Sequence, residues 1–405
     1  MTPAADPPTA RPDETTLPLL RAAAFLGLAL TAWPAASPGA NWYVWPAAFA
    51  AGVAVGALYR HPHRRLGFVP VAFAAGAVAV AAAMAWGWGD AAAAGEGLAV
   101  GVLVGVFSDA RPVGPYADTS RLWVAGLWLP VVALAVLPPV AVHHGLARPD
   151  TLRTAYTAGG LVALAAGAGL AVLRLFRPAF ELAVEPLLGV MYRVRAAGPG
   201  VGAIPAVGPC LVVANHSCWF DPFFLAKVLP RPVTPMMTAR FYDRPVLRWL
   251  MRRVIHAIRV PEAAFRHDAP ELAEAVAALD RGACVVIFPE GYLRRTEDRP
   301  LRRFGRGAWR ILAARPDTPV VTCWIEGGWG SFTSYFGGRP AAGKRPDLRR
   351  RIGIGVSAPA VLDPAALAAH LPARLDLMNR VAAARTALGL PELPPYEVPR
   401  PGDEE

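Results

Sequence analysis

A histidine and an aspartate that could carry out acid–base chemistry lie five positions apart, His216 and Asp221, in the segment NHSCWFDP (215–222). This segment directly follows the apolar run CLVVA (210–214). A tight turn from a strand into a helix would aim the carboxylate at one imidazole nitrogen, which leaves the other nitrogen free to take a proton from a hydroxyl. The alternative is structural, because Asp before Pro222 is also a favoured N-cap and the histidine could be an ordinary turn residue.

A second segment that could do chemistry is FPEG (288–291), which also follows an apolar run. Arginines interspersed with glycine come after it: Arg294, Arg295, Arg299, Arg302, Arg303, Arg306 and Arg310. Guanidinium groups on glycine-containing loops suit phosphate recognition, so the pattern favours a phosphorylated substrate. A solvated basic face is the alternative, since most charge runs are of that kind.

The cysteines and histidines lack the spacing of a metal site, so we expect no metal ion and no bound cofactor. Cys218 lies between His216 and Asp221, which raises the alternative of a cysteine nucleophile. A catalytic cysteine and its histidine are usually distant in sequence, and we do not favour that alternative. The other cysteines lie in strand-like runs and are expected in the core.

Short β-branched runs alternate with helical spacing in the second half of the chain. The predicted strands are CLVVA (210–214), CVVIF (284–288), PVVTCWI (319–325) and IGIGV (352–356). Between the first two, the apolar spacing predicts a helix from Pro270 to Gly282. The alternation predicts a soluble α/β domain, with a mostly parallel sheet flanked by helices and the candidate site at the ends of its strands.

The first half of the chain has the composition of a membrane region. Apolar residues make up 54% of the whole chain and charged residues 18%, which disfavours an ordinary soluble protein. Apolar stretches near 18–36, 42–58, 67–88, 95–108, 121–142 and 156–173 predict about six transmembrane helices within residues 17–176. Residues 1–16 are polar and Pro-rich and are expected to be a disordered lead-in. The arginines concentrate on alternate loops, which predicts both ends of this multi-pass region in the cytoplasm.

Ionisable residues are rare in this polytopic α-helical region. Asp90 and Glu96 are expected at helix ends, and no buried charge pair is evident, so we favour a membrane anchor over a transport pathway. Residues 178–192 predict an amphipathic helix on the cytoplasmic membrane face, or else an ordinary packing helix.

Positive charge is concentrated in the second half of the chain. The net charge is +11, of which residues 1–173 carry only +1. A basic domain beside a membrane region suits anionic headgroups and phosphorylated substrates. No recognised nucleic-acid module is present, so we expect no nucleic-acid partner. We assign residues 177–390 to a cytoplasmic-facing domain and residues 391–405 to a Pro-rich acidic tail.

The ordered set of N-H-x4-D after a strand, F-P-E-G about 70 residues later and then a P-V-V strand resembles the glycerophospholipid acyltransferase family, the group of lysophosphatidic-acid acyltransferases. The resemblance covers roughly residues 178–360. It implies that His216 is the general base, that Asp221 orients it, and that the acceptor attacks an acyl thioester directly. It also implies that Glu290 and Gly291 help to bind the acceptor phosphate. The family's F-K-R-G-A segment is matched by Phe304, Arg306, Gly307 and Ala308. By architecture alone, the first half resembles half of a major-facilitator transporter.

Several positions depart from the family pattern. The family's second motif aligns with residues 256–262, and Ala263 stands where its terminal arginine is expected, so Arg259 or Arg240 would have to bind phosphate. After FPEG, Tyr292-Leu293 replaces the usual Thr-Arg, which leaves Arg294 or Arg295 for that role. Thr322 replaces a proline of the fourth motif. These changes concern the acceptor headgroup more than the acyl transfer.

The resemblance implies a membrane-bound O-acyltransferase of the cytoplasmic membrane that converts lysophosphatidic acid into phosphatidic acid in phospholipid biosynthesis. Its partners would be a lysophospholipid acceptor, the lipid bilayer, and acyl-CoA or acyl carrier protein as the co-substrate. Two alternatives stay open. The acceptor could be another lysolipid or an aminolipid, or the chain could be a non-enzymatic membrane or lysolipid-transport protein with a degenerate acyltransferase domain.

Overall fold

The computed structural model describes residues 20, 41, 43–59, 62–86, 90–108, 140–141, 144–146, 148–261 and 269–397. The chain divides into two compact units, with the boundary between Val184 and Glu185. The predicted lead-in and most of the predicted stretches at 18–36 and 121–142 lie outside the described residues, as does the tail beyond residue 397.

The described part of the first unit is helical. Its helices are Val44–Leu58 (α1), Pro62–Arg65 (α2), Phe68–Trp86 (α3) and Asp90–Ser108 (α4), followed by Pro149–Met191 (α5), which continues past the unit boundary. The apolar stretches predicted near 42–58, 67–88, 95–108 and 156–173 all fall in these helices.

Helices α1 and α4 pack closely through glycine. A Cβ atom added at Gly52 of α1 would lie 2.3 Å from the carbonyl oxygen of Leu98, and one at Gly101 of α4 would lie 2.1 Å from that of Phe49. Small residues that bring backbones this close are typical of helix packing in membranes.

Helix α5 is the one described helix that is long and apolar enough to cross a bilayer, over Asp150–Met191. The apolar segments Val44–Leu58, Phe68–Ala79 and Ala93–Phe107 are shorter. The six-crossing topology therefore stays a prediction. The backbone of α5 is non-helical at Leu175, three residues before Pro178, where the sequence separates an apolar stretch from an amphipathic one.

The prediction that Glu96 lies at a helix end is wrong. Helix α4 begins at Asp90, whose carboxylate accepts hydrogen bonds from the backbone and the side chain of Asn41 (2.8 and 2.7 Å). This start lies five residues before the predicted apolar stretch, because the alanine run 91–94 extends the helix backwards. Glu96 consequently lies inside the helix and is fully buried.

The second unit contains a seven-stranded sheet, which confirms the predicted α/β domain. The strands are Tyr192–Ala197 (β1), Cys210–Ala214 (β2), Val233–Thr238 (β3), Ile258–Val260 (β4), Cys284–Ile287 (β5), Val320–Glu326 (β6) and Arg350–Val356 (β7). Their order is β1-β7-β6-β2-β5-β3-β4, and every neighbouring pair is parallel except β6 and β7.

Helices and turns cover the sheet. They are Asp221–Val228 (α6), Ala239–Tyr242 (α7), Pro245–Leu250 (α8), the π-helical turn Met251–Ile255, Pro270–Asp280 (α9), Gly307–Ala314 (α10), Pro364–Leu367 (α11), His370–Ala383 (α12) and the 3₁₀ turn Ala384–Leu388. The central strand β2 is buried on both faces: Leu211 and Val213 join the core that contains α9, α10 and α12, while Val212 joins the core that contains α6. This burial explains why the strand is a continuous apolar run.

Candidate active site

The candidate site lies at the carboxyl ends of three neighbouring parallel strands. His216 follows β2, Glu290 follows β5, and the glycines Gly327 and Gly328 follow β6. Ligand sites of open α/β sheets lie outside these strand ends, so the fold brings the sequence motifs together where chemistry is expected.

The structure pairs the two residues of the first motif. The distance from His216 Nδ1 to Asp221 Oδ2 is 2.9 Å. The aspartate side chain is fully buried, whereas the histidine side chain keeps 20% of its exposure. Because the carboxylate accepts from Nδ1, the neutral ring carries its proton there and presents Nε2 as the basic nitrogen.

The Asp221 carboxylate also organises the loop before it. Oδ2 accepts hydrogen bonds from the backbone N–H groups of Ser217 (2.6 Å) and Cys218 (2.9 Å). The predicted N-cap role is wrong, because Asp221 is already the first residue of α6 and Phe220 is the N-cap. Its side chain folds back onto the preceding turn, and the same carboxylate therefore fixes both the loop backbone and the imidazole.

The imidazole ring is held on one face by an aromatic side chain. Phe288 stacks on His216 with ring centroids 4.1 Å apart and planes 19° from parallel. Between the hydrogen bond to Asp221 and this stacking, the ring has little freedom to rotate, which suits a group that must meet a hydroxyl in one orientation.

Glu290 of the FPEG segment is a buried link between two loops. Oε1 accepts a hydrogen bond from the backbone N–H of His216 (2.7 Å), and Oε2 accepts one from the backbone N–H of Arg302 (2.8 Å). Burial raises the pKa of this carboxyl to about 8, against the lowering effect of those two hydrogen bonds. The carboxylate faces the protein backbone, so we interpret Glu290 as a positioning residue and not as the predicted phosphate contact.

Gly291 forms the turn that follows. Its φ is +73°, and its N–H donates to the carbonyl oxygen of Phe288 (3.1 Å). A left-handed backbone at this position explains why the motif ends in glycine.

Arg294 is tied to the site through its backbone, and its side chain binds its own loop. Its N–H donates to the carbonyl oxygen of His216 (2.8 Å). Its guanidinium donates to the carbonyl oxygens of Thr296 (2.8 Å) and Glu297, and it lies over the ring of Trp329. The neighbouring Arg295 is exposed, with its guanidinium 3.8 Å from the ring centroid of Tyr335.

The remaining predicted phosphate ligands are Arg259 and Arg306. Arg259 forms a bidentate pair with Asp243, with the closest N–O distance 2.5 Å. Arg306 is the exposed N-cap of α10. The pKa of His370 is lowered mainly by burial of that histidine, and the positive charge of Arg306 is the second cause. These two arginines are therefore available to a ligand in different degrees: Arg259 has a carboxylate partner, while Arg306 lies among other positive charges.

The thiol of Cys218 is unsuited to be a nucleophile. It is fully buried, and its sulfur lies 3.1 Å from Asp221 Oδ1. Burial and the neighbouring carboxylate raise its pKa well above the ordinary value, so the reactive thiolate is disfavoured. Among the residues that the structure describes, no group of three or more His, Cys, Asp or Glu side chains is placed to hold a metal ion.

Two residues that were not among the predicted site residues support the site. Asn215 accepts from the N–H of Ile325 (2.6 Å) and donates to its carbonyl oxygen (3.0 Å), which fastens the end of β2 to β6. Gly328 lies against the Asp221 loop: a Cβ atom there would be 2.3 Å from Ser217 Oγ and 3.1 Å from Asp221 Oδ1. In the sequence, Gly328 belongs to the glycine pair Gly327-Gly328, which follows the strand-like run at 319–325.

Comparison with known proteins points to one family. Residues 200–326 match the acyltransferase family. Uncharacterized proteins of Mycobacterium bovis and Mycobacterium tuberculosis are 33% identical over 48% of this chain and 58% of their own length. A Mycobacterium leprae protein, also uncharacterized, is 30% identical over 38% of this chain and 42% of its length. The match thus spans less than two thirds of these relatives.

Among solved structures, the chain is similar to the 1-acyl-sn-glycerophosphate (LPA) acyltransferase PlsC from Thermotoga maritima. The identity is 19% and the TM-score 0.41, over 57% of this chain and 85% of that one. The match to the acyltransferase family covers the strand ends that carry His216, Asp221 and Glu290. The chain therefore contains a segment, residues 200–326, that is similar to the acyltransferase family and that includes this site.

Proposed function

We propose that this chain is a membrane-bound O-acyltransferase that transfers an acyl chain from a thioester donor to the free hydroxyl of a lysophospholipid, with lysophosphatidic acid as the first acceptor to test. The observation that carries the proposal is the 2.9 Å contact between His216 and Asp221 inside the matched acyltransferase domain.

The proposed reaction uses Nε2 of the His216 ring as the base, because Nδ1 is paired with Asp221. Nε2 of His216 removes the proton of the acceptor hydroxyl while the oxygen attacks the thioester carbonyl. The tetrahedral intermediate collapses when the C–S bond breaks, and the imidazolium returns the proton to the thiolate. One C–O bond forms and no acyl-enzyme is needed. The buried Asp221 carboxylate stabilises the transient positive charge on the imidazole.

Glu290 contributes through the backbone. Its two hydrogen bonds, to the N–H groups of His216 and Arg302, fix the general base relative to the arginine-rich loop. In this proposal a lipid held by that loop meets the imidazole at a defined distance, which lowers the entropic cost of the transfer.

A second class of acceptor, with a different headgroup, is also a candidate. Arg259 is bound by Asp243, and the Arg294 guanidinium is bound by carbonyl oxygens of its own loop. Both side chains would have to exchange these partners for a phosphate. This observation favours testing acceptors without a terminal phosphate, such as other lysolipids or aminolipids, beside lysophosphatidic acid.

Membrane binding is part of the proposal. Helix α5 includes a segment long and apolar enough to cross a bilayer, and α1 and α4 pack through glycine. Both features fit an enzyme whose lipid substrates stay in one leaflet. We place the catalytic domain on the cytoplasmic side, where acyl-CoA or acyl carrier protein would be the donor.

The test is transfer of labelled oleoyl groups from oleoyl-CoA and from oleoyl acyl carrier protein, in membranes that contain the full chain. The acceptors are lysophosphatidic acid and a panel of lysolipids with other headgroups. We expect labelled phosphatidic acid, and an empty membrane is the control. Transfer only to another acceptor would support the second candidate. Failure with every acceptor and both donors would contradict an enzymatic role and favour a degenerate acyltransferase domain.

A further inference from the structure

The segment between β3 and β4 carries an exposed surface with a strongly positive charge. Residues 239–260 contain six arginines and a single acidic residue, Asp243, which is paired with Arg259. Five side chains form what we call the basic face: Arg244, Arg248, Trp249, Arg252 and Arg253, all of them exposed.

The basic face belongs to one helical stretch. Arg244 is the N-cap of α8, and the helix continues into the π-helical turn Met251–Ile255. Met251 and Val254 are buried on the inner side of this stretch. Trp249, Arg252 and Arg253 lie within five consecutive positions of this stretch, and all three side chains are exposed.

The combination of tryptophan and arginine indicates which kind of anionic partner this face fits. The Trp249 side chain is 55% exposed, an unusual position for a large aromatic residue. Tryptophan is enriched at the interface between membrane and water, where its ring lies at the level of the headgroups, and arginines beside it attract anionic lipids. A nucleic acid or an acidic protein would use the charge, but it would not require an indole directed outwards.

Aromatic contacts connect the basic face to the catalytic loop. The Arg244 guanidinium lies 5.4 Å from the ring centroid of Phe241. Phe241 in turn packs edge-on against Trp219, at 5.1 Å, and Trp219 lies three residues after His216. A surface that rests on lipid headgroups here would bring the catalytic loop towards the leaflet that holds a lipid acceptor.

We propose that the basic face docks on the anionic phospholipid surface of the bilayer. The proposal deepens the function proposed above, since it gives a lipid acceptor a route to His216. It concerns an interaction of the folded domain, however, and it can be tested without turnover.

The test uses the full chain in lipid nanodiscs with an environment-sensitive fluorophore on a new cysteine. The four native cysteines are buried, so the unsubstituted protein gives the background of labelling. Trp249→Cys places the probe on the basic face, and Val361→Cys places it at a matched exposed position elsewhere in the second unit. The nanodiscs contain either phosphatidylcholine alone or phosphatidylcholine with 30% phosphatidylglycerol as a probe mixture.

We expect a blue shift of the probe at position 249 in the anionic nanodiscs and a much smaller shift in the neutral ones. The probe at position 361 should stay water-like in both. Adding Arg252→Gln and Arg253→Gln to Trp249→Cys should lower the ratio of docked to undocked protein by about fivefold for each arginine. The control pair Arg281→Gln and Arg345→Gln, which are exposed arginines outside the basic face, should leave the shift unchanged.

Three results would overturn the proposal. The probe at position 249 could stay water-like in anionic nanodiscs, the two probe positions could shift equally, or the shift could appear only on addition of an acidic protein or an oligonucleotide. Loss of acyl transfer with an intact blue shift would instead contradict the proposed function and leave the docking surface in place.

Discussion

The backbone N–H of His216 donates to Glu290 Oε1 at 2.7 Å, although the two residues are 74 positions apart. The second oxygen, Glu290 Oε2, accepts a hydrogen bond from the backbone N–H of Arg302 at 2.8 Å. Glu290 thus holds the backbone of the general base and that of the arginine-rich loop in register, and Asp221 holds the imidazole itself. Two buried carboxyl groups therefore support one partly exposed histidine.

Glu290→Gln should reduce kcat more than it changes the KM of the acceptor. The amide nitrogen cannot accept a hydrogen bond from a backbone N–H, so one of the two bonds is lost. A buried backbone N–H left without its acceptor costs about 1–3 kcal/mol, and we expect a fall in kcat of roughly 10- to 100-fold. Steady-state kinetics of acyl transfer measures both constants. A raised acceptor KM with an unchanged kcat would instead support the direct phosphate contact that the family resemblance implies.

As the pH rises from about 4.5 to about 8, the wild type should lose more stability than the Glu290→Gln variant. The pKa of the Glu290 carboxyl is about 8 in the folded protein, because burial disfavours its charge, and its ordinary value is 4.5. Between these values the folded protein binds the proton more tightly than the unfolded chain, so stability decreases with pH. Thermal unfolding of both proteins between pH 5 and 8 measures this difference. Parallel pH profiles would contradict it.

Gly328→Ala should reduce activity by disturbing the loop that Asp221 holds. The new methyl group would lie 2.3 Å from Ser217 Oγ and 3.1 Å from Asp221 Oδ1, so the serine hydroxyl or the loop must shift, and we expect the contact with His216 to weaken. Removal of the hydroxyl should restore part of the activity, and we therefore expect Gly328→Ala with Ser217→Ala to be more active than Gly328→Ala alone. Gly189→Ala is the control, since a Cβ atom there meets nothing within 4 Å. Equal activity of Gly328→Ala and the control would show that the close approach is unimportant.

His256→Gly should be more stable than His256→Ala. His256 has φ +56° at the end of the π-helical turn, a left-handed conformation that costs about 1–2 kcal/mol for a residue with a Cβ atom. Both variants lose the imidazole, so their difference isolates the backbone. We expect a gain of about 1 kcal/mol for glycine, measured as a higher unfolding temperature. Equal stabilities would mean that this backbone is not strained.

The same position connects a sequence departure to a structural cause. In the family that the sequence resembles, the motif aligned with residues 256–262 begins with glycine, and His256 occupies that place here. His256 adopts a left-handed φ of +56° just before β4, a conformation that glycine takes without strain. Ala263, which stands where the terminal arginine of that motif is expected, lies outside the described residues.

Much of the sheet was predictable because its central strands are buried on both faces. Strand β2 matches the predicted CLVVA run at both ends, and β5 ends one residue before its prediction. Strands β1, β3 and β4 were not predicted. The first alternates arginine with apolar residues, the second contains Pro235, and the third is only three residues long, so their formation depends on pairing with neighbours.

The site was predictable only where the partners are close in sequence. His216 and Asp221 lie in one turn, and their types and spacing indicate a hydrogen bond. Glu290 was predicted to contact the acceptor phosphate. Its partners in the structure are backbone N–H groups, which the residue types in the sequence do not reveal. For the same reason the engagement of Arg294 with loop carbonyl oxygens could not be foreseen.

The most direct test of the account is acyl transfer by the full chain with His216→Ala, compared with His144→Ala, which alters an exposed histidine of the other unit. Removal of a general base costs about 100- to 10,000-fold in rate, so His216→Ala should lose transfer while His144→Ala keeps the wild-type rate. Normal turnover by His216→Ala, with the folded state verified by circular dichroism, would contradict the mechanism built on the contact between His216 and Asp221.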